Sequence, residues 1–156
     1  MKINFKKLIV CILIPLAVGA LSALLSGGGM ADFGSVTKPP LSPPGWLFPI
    51  VWTILYSLMG IASYLVSESY APADEKQSAL ELYAAQLILN FFWSIIFFRF
   101  DLYFVAFVWL LALLALIILT TISFYRISKT AGILMIPYIL WVTFAGYLTL
   151  GIAILN

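Results

Sequence analysis

Histidine is absent from this 156-residue sequence, cysteine occurs once, and charged residues are few. They make up 9% of the chain, against about 25% in an ordinary soluble domain. Without histidine there is no Ser-His-Asp or Cys-His nucleophile, no His-ligated zinc and no His-held haem. The lone Cys11, set among Leu8, Ile9, Val10 and Ile12, can close no internal disulfide and build no Cys-cluster metal site, so no metal centre is expected. A net charge of +2 is too small for a basic nucleic-acid binder. What remains is apolar: 64% of the residues are hydrophobic and the mean hydropathy is +1.14. A soluble domain of this size buries only about two-thirds of the surface its chain exposes, too little to hide so much hydrocarbon. The composition therefore predicts an all-α integral membrane protein, one domain over residues 1–156.

A membrane-crossing helix needs about 20 mostly apolar residues. Five segments qualify: 8–25, 46–66, 79–98, 102–124 and 131–155. They are expected to be helices, because an isolated strand cannot satisfy its backbone in lipid, and the alternating ten-residue segments of a barrel do not occur. The first segment, preceded by Lys2, Lys6 and Lys7, also resembles a secretory signal, with Ala20-Leu21-Ser22 as a passable cleavage site. Its removal would leave four helices.

The basic residues set the expected orientation. Lys2, Lys6, Lys7, Lys76, Arg126 and Lys129 fall on one side, and Lys38 and Arg99 on the other. Six against two places the amino end in the cytoplasm and the carboxyl end outside. Loop 26–45 is long, with Gly27, Gly28 and Gly29 and the prolines Pro39, Pro40, Pro43 and Pro44. Loop 67–78 reads as acidic and solvated. Loop 99–101 is so short that its flanking helices must form a tight antiparallel hairpin. No internal repeat of the kind found in many secondary transporters is present.

No charged residue lies near the middle of any span, which argues against a proton-coupled pump. In the third span Tyr83, Gln86, Asn90, Trp93, Ser94 and Phe97 recur at three- and four-residue spacing and share one stripe. Amides are costly against lipid, so the stripe should face the bundle. It is either glue between helices or the polar edge of a cavity. Trp52, Tyr56, Met59 and Ser63 share a face of the second span, and Trp141, Phe144, Ala145 and Leu148 one of the fifth. Pro15, Gly19 and Ser22 share a small-residue face of the first. Trp52 and Trp141 lie deeper than an interfacial belt requires, and a buried indole N–H wants a partner. The pattern suggests a flat aromatic ligand held by stacking and one or two hydrogen bonds.

The stretch Lys38-Pro39-Pro40-Leu41-Ser42-Pro43-Pro44-Gly45-Trp46-Leu47-Phe48-Pro49-Ile50-Val51-Trp52, running on through Tyr56 and Gly60, resembles the TspO/MBR family of tryptophan-rich sensory proteins and translocator proteins. So do Gln86-Leu87-Ile88-Leu89-Asn90-Phe91-Phe92-Trp93-Ser94, Pro137-Tyr138-Ile139-Leu140-Trp141-Val142-Thr143-Phe144-Ala145 and the final Asn156. The motifs occur in order over nearly the whole chain. The resemblance implies a five-helix bundle, a homodimer, and a pocket beneath the first loop that takes porphyrins such as protoporphyrin IX. No further cofactor is required. Trp52, Tyr56, Asn90, Trp93, Trp141, Phe144, Ala145 and Leu148 match the family's pocket positions. Trp52 and Trp141 are thereby expected to stack on the ligand, and Asn90 to hydrogen-bond it. The chain departs from the family's pattern at Asp32, Phe33, Leu41 and Thr149. It also lacks the Tyr and basic residue of the animal cholesterol segment, with Leu150 and Ile154 in those places, so cholesterol binding is not expected.

The expected function is thus porphyrin binding in a bacterial cell membrane, in a sensory or regulatory role. Two alternatives stand beside it. One is a light- and oxygen-dependent porphyrin-degrading enzyme in which Trp52 and Trp141 are the catalytic candidates. The other is a tetrapyrrole transporter.

Overall fold

A computed structural model of the protein describes residues 2–27 and 33–156. Gly28, Gly29 and Asp32, noted in the first loop, lie outside the described residues. Five long helices account for the fold: α1 (Phe5–Leu25), α2 (Leu47–Ser67), α3 (Ala73–Ser94), α4 (Tyr103–Ile127) and α5 (Lys129–Leu155). Among the described residues of the first loop, Phe33–Ser35 form a 3-10 turn. All five helices, α3 together with its extension to Arg99, are long and apolar enough to cross a membrane. Large apolar side chains such as Val108, Leu111, Ile118 and Leu140 are exposed on the outside of the bundle, as a hydrocarbon solvent requires.

The helices pack in a ring: α1 on α2, α2 on α5, α5 on α4, α4 on α3, with α3 closing on α1. Met59, Ala62, Ala106, Leu110, Ile117, Met135 and Tyr138 fill the interior. The α1–α2 seam is tight because Gly60 has no side chain. A Cβ there would lie 2.6 Å from the Cys11 carbonyl oxygen and the Ile12 Cα.

Loop 67–78 is shorter than expected. α3 begins at Ala73, so Asp74, Glu75 and Lys76 are helical, not loop. The reason is electrostatic: Asp74 and Glu75 stand in the first turn, where they complement the exposed N–H groups and the helix dipole. The joint between α4 and α5 is a single residue. Ser128 ends α4 and caps α5, its side chain accepting from Ala131 N at 3.3 Å.

The other end of the bundle is less regular. After Ser94, α3 widens into a π-turn, Ile95–Arg99. Phe100 N then bonds Ile95 O at 3.2 Å, and Leu102 N bonds Ile96 O at 3.2 Å. Asp101 reverses the chain with φ 54°, in the left-handed region that aspartate tolerates better than most residues. This is the tight α3–α4 hairpin. The first loop lies at the same end, tied to α5. Asn156 Oδ1 accepts from Thr37 N at 3.1 Å, and Asn156 Nδ2 donates to Thr37 O at 2.7 Å. The Tyr147 hydroxyl donates to Pro40 O at 2.7 Å. Pro39 rests on Gly151, where a Cβ would stand 2.6 Å from its Cγ.

Candidate functional site

At the first-loop end the ring of helices does not pack solid. A cavity of about 150 Å³ lies among α1, α2, the end of α3 and α5. Each helix contributes the face its sequence spacing selects. Gly19, Ala23 and Ser26 come from α1, and Phe48, Pro49, Trp52 and Tyr56 from α2. Trp93, Ser94, Phe97 and Phe98 come from α3 and its π-turn, and Trp141, Ala145, Leu148, Thr149 and Ile152 from α5. Phe98, five residues after Trp93, shares its side of the helix because the π-turn has a longer repeat than an α-helix.

The wall is aromatic and mutually braced. Trp52 stacks on Tyr56, with ring centroids 5.4 Å apart and planes at 30°. Trp93 stacks on Phe97 at 5.3 Å and 20°. Phe48 meets Trp141 edge-on at 5.7 Å. Gly19 leaves room for the Tyr56 ring, which would overlap any Cβ at that position.

Among the described residues no charged side chain lines the cavity. Two of its hydroxyls are already committed: Ser26 Oγ donates to Ser22 O at 2.7 Å, and Thr149 Oγ1 to Ala145 O at 2.6 Å. The indole nitrogens of Trp93 and Trp141 are different. Both are buried and neither has a hydrogen-bond partner. Trp93 is 8% exposed, so its donor is cut off from solvent. A buried N–H left unpaired costs about 1–3 kcal/mol, and an acceptor placed in the cavity would recover it.

The polar stripe of α3 divides in two. Trp93, Ser94 and Phe97 line the cavity. Asn90 and Gln86, further along the helix, join a buried chain of hydrogen bonds. The Tyr56 hydroxyl donates to Asn90 Oδ1 at 2.7 Å, and Asn90 Nδ2 donates to the Tyr138 hydroxyl at 2.6 Å. Tyr138 donates in turn to Gln86 Oε1 at 2.7 Å, and Gln86 Nε2 faces Met59 Sδ at 3.9 Å. The chain ties α2, α3 and α5 together below the cavity and reaches it through the Tyr56 ring.

Of the residues singled out in the sequence, Trp52, Tyr56, Trp93, Trp141, Ala145 and Leu148 meet at the cavity. Asn90 sits behind Tyr56, and Phe144 lies beside Trp141 with centroids 5.6 Å apart, next to the cavity lining but not part of it. Sequence reasoning missed Phe48, Phe98 and Ile152 as wall residues, and Tyr138 as the centre of the buried chain. Tyr138 carried a signal, since it stands in the Pro137–Ala145 motif three residues before Trp141. Among the described residues no cluster of His, Cys, Asp and Glu could hold a metal ion.

Comparison with known proteins agrees with this architecture. The TspO/MBR family pattern matches residues 11–155. A tryptophan-rich protein TspO of Chlorobaculum tepidum is 39% identical over 150 residues, covering 96% of this chain and 95% of that protein. A protein of the same name from Archaeoglobus fulgidus is 37% identical over 154 residues, covering 98% of this chain and 99% of the relative. The translocator protein of Bos taurus is 36% identical over 138 residues, 87% of this chain and 82% of its own.

Proposed function

The chain belongs to the TspO/MBR family, and from that premise we propose that it binds planar, porphyrin-like ligands in the cavity among α1, α2, α3 and α5. Protoporphyrin IX or a related tetrapyrrole is the ligand, and the role is sensory or regulatory. It is a multi-pass membrane protein. The single observation that carries the reading is the pair of unpartnered indole donors, Trp93 and Trp141, on facing helices of an otherwise apolar, aromatic cavity. Stacking surfaces with a few fixed polar groups are how small-molecule pockets combine affinity with orientation.

Size adds a condition. An apolar cavity of about 150 Å³ holds a benzene-sized guest. A macrocycle of four pyrrole rings needs more, so the cavity must widen when the porphyrin enters. The excess of basic residues supports a cytoplasmic amino end, which would turn the cavity toward the outer face of a bacterial cell membrane. Reporter fusions at each terminus test that orientation, and crosslinking in membranes tests the expected homodimer.

Titration of protoporphyrin IX into the detergent-solubilised protein, followed by tryptophan quenching, tests the binding. Saturable quenching that weakens in Trp93→Phe and Trp141→Phe is the expected result. Linear quenching indifferent to both substitutions would defeat the reading.

A second reading is favoured by the presence of Trp52 and Trp141 in the same wall, where oxidisable indoles would touch a photoexcited porphyrin. Illumination under oxygen should then produce a bilin-like absorbance that disappears in Trp52→Phe and Trp141→Phe. Slow bleaching, unchanged in both variants, would leave binding alone.

A further inference from the structure

We propose that Arg99 is an anion-recognition residue at the mouth of the cavity, and that it selects ligands carrying a carboxylate beside their planar ring. The proposal rests on the porphyrin-type reading above and adds a polar end to it.

Arg99 closes the π-turn directly after Phe97 and Phe98, two residues of the cavity wall. Its side chain reaches the adjacent helix α1. Nη1 donates to Leu25 O at 3.0 Å, at the end of α1 and next to Ser26, another wall residue. The guanidinium therefore bridges the α1 and α3 edges of the cavity at the loop end of the bundle. It is exposed there, so its charge stays hydrated in the empty protein.

A guanidinium has five N–H donors, and the Leu25 carbonyl is the one acceptor described for this one. Among the described residues the rest of the planar fork has no acceptor, and its geometry is the one that takes a carboxylate through two parallel bonds. Among the described residues Arg99 forms no ion pair. Asp101, two residues on, accepts instead from the Tyr103 hydroxyl at 3.3 Å. The other cation at this end, Lys38, is already engaged.

Among the described residues no charged side chain lines the cavity, so an ionised carboxylate inside it would lack an opposite charge. An amphipathic ring acid thus has one arrangement: rings among the indoles, carboxylate at the mouth. A short acid arm on a ring lying against Phe97 would emerge beside Arg99. The Leu25 bond holds the guanidinium in place before the ligand arrives, which lowers the ordering cost of capture.

The test compares protoporphyrin IX with its dimethyl ester, which has the same rings and no carboxylate. Both are titrated into wild type, Arg99→Gln and Arg99→Lys in one neutral detergent, so that micelle partitioning cancels between variants. Wild type should prefer the diacid over the ester, relative to Arg99→Gln, by about three- to tenfold, the range for a charge-assisted contact at an exposed site. Added salt should shrink that preference. Arg99→Gln should bind the ester as wild type does, which also shows that it is folded, and Arg99→Lys should keep part of the preference. An acid-to-ester ratio unchanged in Arg99→Gln overturns the proposal and leaves porphyrin binding standing. If neither compound binds wild type saturably, the porphyrin reading falls and takes this proposal with it.

Discussion

Asn90 donates to the Tyr138 hydroxyl at 2.6 Å, from α3 to α5 across the interior of the bundle. Asn90 is 2% exposed and Tyr138 1%. The same hydroxyl donates onward to Gln86, so one phenol satisfies two amides of a neighbouring helix. In a low-dielectric interior such a network is stabilising only while every member is satisfied.

Tyr138→Phe should therefore destabilise the bundle. Asn90 and Gln86 each lose a partner with no water to replace it. The expected cost is about 1 kcal/mol, since side-chain hydrogen bonds inside membranes are typically worth that or less. Thermal unfolding in detergent should show a lower Tm, with helical content unchanged at low temperature.

Asn90→Ala distinguishes direct from indirect action on a ligand. Asn90 does not line the cavity, and it bonds the lining residue Tyr56 through its hydroxyl. Porphyrin affinity should weaken modestly, and Tyr56→Phe should reproduce most of that loss. In the double variant the two losses should not add. Additive losses, measured by quenching, would mean that Asn90 contacts the ligand itself.

Gly19→Val should close the site. Even a single Cβ at this position overlaps the Tyr56 ring, so the ring must leave its place beside Trp52 or α1 must move outward. Overpacking of this kind costs about 1–3 kcal/mol. Saturable porphyrin quenching should disappear while the protein remains helical by circular dichroism.

Asn156→Ala combined with Tyr147→Phe should free the first loop. The pair removes the double bond to Thr37 and the bond to Pro40. Hydrogen exchange at residues 34–46 should accelerate several-fold, with the cores of α2 to α5 unaffected. Porphyrin association should become faster if the loop has to lift.

Glu68→Gln provides a contrast. Lys7 and Glu68 form an ion pair between α1 and the end of α2, with their side chains 39% and 25% exposed. Pairs this accessible are worth about 0–1 kcal/mol. The Tm should barely change, and any change should vanish in high salt.

The spans were legible because hydropathy alone decides what lipid will accept. Their ends were not. Ala73 to Ser78 carries Asp74, Glu75 and Lys76 and reads as loop by composition, yet it is helix, because a carboxylate at a helix start satisfies the dipole. The cavity was legible where helical periodicity held: Trp52 with Tyr56, Trp93 with Phe97, Trp141 with Ala145 and Leu148. Phe98 escaped because the π-turn breaks the period on which that reasoning depends. Tyr138 escaped for a different reason. Its partners lie 48 and 52 positions away, and no local pattern encodes a bond across such a distance.

Ser128 leaves α4 and α5 joined without slack, so these two helices must tilt as one body. α1 is joined through the long first loop instead, and only Pro15 and Ser22 along its length are buried. The amino-terminal helix is thus the one with the largest share of its surface turned to lipid. If a guest larger than the resting void binds as proposed, this helix is the expected one to shift outward, and affinity should then depend on bilayer composition.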